Sequence, residues 1–141
     1  MTAAVEIAMK ANLTVVLESY HRCEQRGGMF DSFYEILFAK SPQIPPKFAN
    51  TNMERQKQDL TASVLMAIRL ATGDQVARQY VQALAASHSR DRHNVNPELY
   101  SLWLDALCQA VQNCDPQFTP ELELQWRMAM HPAIELMSAA Y

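Results

Sequence analysis

The sequence predicts an all-α fold, and three observations carry that prediction. Apolar residues recur at helical spacing along most of the 141-residue chain. The chain contains only 3 glycines but 8 methionines, a composition that favours helices over strands. Alternating patterns are short and hairpin dipeptides are missing, so no strand signal competes. With 49% apolar residues and no repeat or linker, residues 1–141 are expected to form one domain.

Charge and cysteine usage argue against several classes of function. The net charge is −3 and the pI is near 5.8, which does not favour binding to nucleic acid or to an anionic membrane. No apolar stretch is long enough to span a bilayer, and the first residues lack a signal-peptide pattern. Three cysteines without disulfide or zinc spacing suit a reducing compartment. We therefore expect a cytoplasmic protein.

Glycine and proline divide the first half of the chain into three predicted helices. The first covers residues from about 3 to 24 and ends before Gly27-Gly28. The second has an aromatic inner face and ends at Ser41-Pro42. Thr51 or Asn52 can cap the third. The inward stripes of the three helices are Val5, Met9, Leu13, Val16, Leu17 and Tyr20, then Phe30, Phe33, Tyr34, Leu37 and Phe38, then Leu60, Val64, Ala67, Ile68 and Ala71.

Three further helices are predicted in the second half. One covers about 75–88, with an apolar stripe through Val76, Tyr80, Leu84 and His88. The last two predicted helices each begin with a cap, a first-turn proline and an acid, namely Asn96-Pro97-Glu98 and Thr119-Pro120-Glu121. Pro132 should kink or divide the final helix. The inward residues of these last two helices are Leu99, Leu102, Trp103, Ala106 and Ala110, with Leu107 at the edge, then Leu122, Trp126, Met130, Ala133 and Met137.

His88 is the residue in this pattern that points most directly to chemistry. It lies at the end of an apolar helical stripe and is followed by a polar corner. An imidazole in that position can be a metal ligand. It can equally be a buried histidine whose hydrogen bonds are satisfied within the protein, and from the histidine alone the second interpretation is favoured.

A more specific pattern comes from the order and spacing of four predicted inward residues: Tyr34, Phe48, Gln56 and His88. The segments 33–48, 56–60 and 84–100 carry them, including Leu84, Val95, Pro97-Glu98 and Tyr100. Together they resemble the globin family, and within it the bacterial flavohaemoglobins and single-domain haemoglobins. The resemblance covers nearly the whole chain, and it implies a globin fold of about seven helices around one haem pocket.

The resemblance also implies a role for each residue of the site. His88 would bind the iron of haem b on the proximal side. The residues that would contact the macrocycle are Phe48, Leu60, Leu84, Val95 and Tyr100. Tyr34 and Gln56 would face the open iron position, where a phenol and an amide can donate hydrogen bonds to bound oxygen in a dry pocket. Two plainer alternatives stay open: Tyr34 as a core tyrosine tied to a backbone carbonyl, and Gln56 as a solvated helix residue.

By the same resemblance, the expected function is reversible binding of oxygen and other diatomic gases by a monomer or homodimer. Nitric oxide dioxygenation is an extension that needs an external reductase, because three glycines leave no room for a dinucleotide-binding loop. Two alternatives come from other classes. One is a haem-based gas sensor that acts on a partner, and the other is a haem-free globin-fold interaction domain.

The sequence departs from the flavohaemoglobin pattern in two places. The corner between His88 and Val95 is longer, and its residues Arg90, Arg92 and His93 could face the haem propionates or simply be solvated. His93 is also a rival for the proximal position, although it lies outside the apolar stripe. In addition, the sequence reaches Tyr141 without a match for the glutamate that engages the proximal histidine in flavohaemoglobins, since Glu135 comes too early. A strongly electron-rich iron is therefore in doubt.

Overall fold

The computed structural model describes residues 12–141, which form six α-helices and one short 3-10 helix without a strand. This confirms the all-α prediction. In chain order the elements are α1 Leu13–Arg26, α2 Met29–Lys40, the 3-10 helix Pro45–Phe48, α3 Met53–Ala71, α4 Gln75–Ser87, α5 Leu99–Cys114 and α6 Pro120–Ala139. The part of the first predicted helix that includes Val5 and Met9 lies outside the described residues. Among residues 12–141, no helix is both long and apolar enough to cross a membrane.

Local sequence explains where the helices begin and end. Gly27 has a positive φ of 78°, a conformation that side chains disfavour, and it ends α1. Asn52 accepts a hydrogen bond from the Arg55 amide, which confirms it as the cap of α3. Asp74 caps α4 and Thr119 caps α6 in the same way. The start of α5 differs slightly, because Asn96 caps the preceding turn through the Glu98 amide and the α-helix itself begins at Leu99.

The helices pack in two groups that leave a space between them. In one group α3, α4 and α6 contact one another, and in the other α2 packs on α5. A buried polar network fixes α1 to the ends of α5 and α6, away from this space. In it Ser19 donates to Asp115 at 2.6 Å and accepts from the Trp126 indole at 3.0 Å, while Arg22 forms a two-point ion pair with Asp115. Burial favours the neutral form of Asp115, but hydrogen bonds from Arg22, Ser19 and the Gln117 amide outweigh it and lower the pKa of the carboxyl.

Two predictions about helix faces are wrong. Val76 and Tyr80 are exposed, and the buried face of α4 consists of Ala77, Val81 and Ala85. Each step of four residues advances an α-helix about 40° beyond a full turn, so a stripe from Val76 to His88 drifts by about 120°. In α5, Leu107 is fully buried rather than at the edge of the inward face.

Of the two outcomes predicted for Pro132, a kink or a division of the last helix, the division is wrong, since α6 continues through the proline. A proline within a helix removes one backbone donor and crowds the preceding turn. Here Met130, two residues before the proline, and Ala133, directly after it, are buried in the core, and this packing favours one continuous helix over two.

Candidate functional site

A cavity of about 500 Å³ lies between the helix groups. Its walls come from every element except α1, and most of the surface is apolar. This volume is within the range of roughly 300–1,000 Å³ that is usual for cofactor and ligand sites. The predicted site residues that line it are Tyr34, Phe48, Gln56, Leu60, Leu84, His88, Val95 and Tyr100. All eight, drawn from distant parts of the sequence, are therefore brought together.

His88 enters the cavity from the C-terminal cap of α4. Its Nδ1 lies 2.8 Å from the carbonyl oxygen of Leu84 and 3.0 Å from the Ser87 hydroxyl oxygen. Because a carbonyl can only accept, Nδ1 carries the proton, and Nε2 then keeps its lone pair in the neutral ring. Burial lowers the pKa of His88, with His93 adding to the effect and the hydrogen bond to Leu84 opposing it. The ring is thus suited to bind a metal through Nε2.

Tyr34 and Gln56 meet at the same cavity. The Gln56 Nε2 donates to the Tyr34 hydroxyl oxygen over 3.1 Å, so Tyr34 has a side-chain partner rather than the backbone carbonyl considered above. Burial raises the pKa of Tyr34, although the bond from Gln56 opposes this, and the phenol stays protonated. Because its oxygen already accepts, its own O–H remains available to a molecule inside the cavity.

Aromatic rings hold this phenol in place. The Tyr34 ring lies 5.6 Å from the ring of Phe48 and 5.7 Å from that of Phe38, measured between centroids. Phe33 contacts it at 5.0 Å and contacts Trp103 at 5.9 Å. Such tilted and edge-to-face contacts restrict the ring well. From the aromatic face predicted for the second helix, Phe33 and Tyr34 therefore form part of the cavity wall.

Tyr100 is buried on α5 and also borders the cavity. Burial raises the pKa of its phenol to about 12, so it is neutral at physiological pH. Leu60 is also buried, and Leu84 and Val95 are half-buried. These side chains form part of the apolar lining of the cavity.

Among the three polar corner residues, only His93 lines the cavity. Its ring contacts the His88 ring edge-on with 6.0 Å between centroids. The Arg90 guanidinium lies over the ring of Tyr141 instead, 4.8 Å from its centroid, and Arg92 is exposed. The cation that sequence reasoning missed is Lys47, which borders the cavity beside Phe48. Its place next to that aromatic residue was the available signal.

No carboxylate bonds to His88 within the described part of the chain. Glu135 is mostly exposed and pairs with His131 at 3.6 Å. The partners of the His88 Nδ1 are the neutral carbonyl of Leu84 and the hydroxyl of Ser87.

Comparison with known proteins decides the family. The globin family model matches residues 31–136, a span that includes every predicted site residue. This chain belongs to the globin family. A crystal structure from Pseudomonas aeruginosa, described as structurally highly homologous to human haemoglobin, is 40% identical in sequence to this globin. The two superpose with a TM-score of 0.88 over 92% of this chain and 97% of that one. A search of curated proteins gave no significant match.

These findings confirm the globin fold but not the finer likeness to flavohaemoglobins. Globins generally bind haem, and the residues of this cavity fit that cofactor. Its surface is mostly apolar, His88 presents a neutral imidazole to it, and residues 12–141 contain no cluster of three or more histidine, cysteine or carboxylate groups for a metal held by protein alone. An imidazole with its Nε2 unprotonated beside an apolar cavity fits haem, a cofactor that brings four iron ligands of its own.

Proposed function

We propose that this globin holds haem b through His88 and reversibly binds diatomic gases, oxygen first, beside Tyr34 and Gln56. The observation that carries the proposal is that one apolar cavity contains both a neutral imidazole with its Nε2 free and a phenol with its O–H free. The haem iron would supply the open coordination position for the gas. The protein would supply the axial nitrogen, a dry surface and the hydrogen-bond donors.

Each residue contributes through the chemistry of its own side chain. The bond from His88 Nδ1 to Leu84 fixes the ring and its tautomer, so that Nε2 is the nitrogen offered to the iron. Phe48, Leu60, Leu84, Val95 and Tyr100 would exclude water from the macrocycle. Tyr34 would donate to a gas molecule that carries partial negative charge, and Gln56 holds the phenol for that contact.

Nitric oxide dioxygenation would extend this function without another site. In that reaction nitric oxide and oxygen take up one electron and form nitrate, so each turnover requires an electron from outside. The proposal therefore includes an external reductase as partner, in the cytoplasm. A monomer and a homodimer are both compatible with it.

Visible absorption spectra of the purified protein test the proposal. Haem bound through one histidine should give an intense near-ultraviolet band that shifts on reduction and again on addition of carbon monoxide. Stoichiometric binding of added haem with those shifts would support oxygen binding. A protein that takes up no haem would instead support the interaction-domain alternative. A spectrum with two protein ligands in both oxidation states would favour a sensor or electron-transfer role.

A further inference from the structure

The cavity separates two groups of helices, and α2 and α3 belong to different groups. The helix α2 packs mainly on α5, whereas α3 packs on α4 and α6. The spacing between α2 and α3 therefore depends on the few contacts that join them directly. One of these is the hydrogen bond from Gln56 on α3 to Tyr34 on α2, which holds the phenol at the cavity.

A second polar contact joins neighbouring residues of the same two helices. The Lys57 ammonium lies 2.5 Å from the Asp31 carboxylate. Lys57 directly follows Gln56 in α3, and Asp31 precedes Tyr34 by three residues in α2. Within residues 12–141, these two contacts are the polar side-chain links between α2 and α3.

The ion pair lies outside the cavity, where water reaches it. Neither residue belongs to the cavity lining, and the side chains of Asp31 and Lys57 are 68% and 28% exposed. A pair this exposed adds little to overall stability, and salt weakens it. Its position gives it a more specific effect, because it biases the spacing of the two helices at the point where Gln56 must reach the phenol.

We infer that Asp31 and Lys57 are positioning residues for the proposed gas site. Their ion pair holds α2 and α3 at the spacing at which Gln56 donates to Tyr34. Retention of oxygen then depends on ionic strength, because salt screens the pair. The inference rests on the proposed function, since it concerns a phenol that donates to bound oxygen.

Lys57→Met tests the inference, because it removes the charge and keeps most of the side-chain length. At low salt, oxygen should dissociate about two- to three-fold faster from this variant than from the parent, a change that an exposed ion pair can supply. The parent rate should approach that of the variant in about 1 M sodium chloride, where the Debye length is about 3 Å, and the variant should respond little. In a Gln56→Leu background, Lys57→Met should have no further effect.

Two further variants make the test specific to this ion pair. Asp105→Asn is the matched control, because it breaks the ion pair of Asp105 with Arg127 at 2.9 Å. That pair also joins two helices and has 43% and 35% exposed side chains, but neither residue lines the cavity. Asp31→Lys combined with Lys57→Asp restores an ion pair with its charges reversed, and it should return the oxygen rate towards the parent value.

The side-chain amide of Gln56 gives a readout that does not require oxygen. Followed by nuclear magnetic resonance in the protein as purified, its protons should exchange with water about two- to three-fold faster in Lys57→Met. Unchanged amide exchange in that variant would overturn the inference, and so would an unchanged oxygen rate or an equal change in Asp105→Asn. A parent protein that bound no oxygen would contradict the proposed function, whereas faster amide exchange in the variant would still support the positioning of Gln56.

Discussion

Replacing Tyr34 with phenylalanine removes one oxygen atom from the cavity wall and little else. The ring is buried and keeps its contacts with Phe33, Phe38 and Phe48. The hydroxyl has one protein partner, the Gln56 amide at 3.1 Å. The substitution should therefore leave the fold intact and change only the polarity of the proposed gas site.

The size of the effect follows from the hydrogen bond that is lost. In a dry cavity, the Tyr34 O–H would donate to an oxygen molecule because its own oxygen is already occupied by Gln56. A net hydrogen bond is worth about 0.5–1.5 kcal/mol, and the low polarity of the lining places this one near the upper end. Since about 1.4 kcal/mol corresponds to a factor of ten, oxygen should dissociate roughly ten-fold faster from Tyr34→Phe.

Rapid-mixing measurements of oxygen and carbon monoxide release check this prediction. Carbon monoxide carries less charge on its outer atom, so its release should change far less. Tyr20→Phe is the matched control, because Tyr20 is equally buried but does not line the cavity. Gln56→Leu should have a smaller effect than Tyr34→Phe, since its amide acts through Tyr34. Equal oxygen release from Tyr34→Phe and the parent would mean that the hydroxyl does not reach the gas, and the proposed oxygen binding would lose its main support.

Three further predictions concern the proximal ligand and the core. His88→Ala should abolish the intense near-ultraviolet haem band until imidazole is added, whereas His93→Ala should keep it; the reverse result would assign the iron to His93. Trp126→Ala should lower the free energy of unfolding by about 3–5 kcal/mol in chemical denaturation, because the indole is fully buried. Trp103→Ala should lower it by less, because Trp103 is half-buried. An equally small loss of stability in both variants would contradict the packing. Asp115 has a pKa below its ordinary 3.8, so its stabilisation is present above that pH and is lost as pH falls through the lowered value. Chemical denaturation at a series of acidic pH values should therefore show that the free energy of unfolding depends less on pH in Asp115→Asn than in the parent. Parallel curves of this free energy against pH would refute the stabilising role of the Asp115 carboxylate.

Much of the fold could be predicted because local signals agree with it. Asn52, Gly27 and Thr119 act at helix ends through their own side chains or dihedral angles, so neighbouring residues hardly influence the outcome. The faces of α4 were harder to predict. Alanine at positions 77 and 85 gives almost no hydrophobic signal, yet its small size allows close helix packing, whereas the more apolar Val76 is exposed.

The site was predicted from its resemblance to globins, and the structure adds what a linear pattern cannot contain. No spacing rule connects Gln56 to Tyr34, because a hydrogen bond between different helices depends on how those helices pack. Lys47 and Tyr141 were not identified for the same reason. Each contacts Asn94 from a distant part of the chain, and neither belongs to the apolar stripes from which the core was derived.

The partner of His88 limits which chemistry the site can support. A carboxylate that accepts from Nδ1 would give the imidazole anionic character and make a bound iron more electron-rich. Here Nδ1 meets the neutral Leu84 carbonyl and the Ser87 hydroxyl, while Glu135 is paired with His131 at the surface. If haem binds there, a neutral imidazole of this kind would donate less charge to the iron, and this supports the proposed reversible gas binding over cleavage of an oxygen–oxygen bond. The contacts of His88 and the hydroxyl of Tyr34 therefore support the same proposed function, although they come from different parts of the fold.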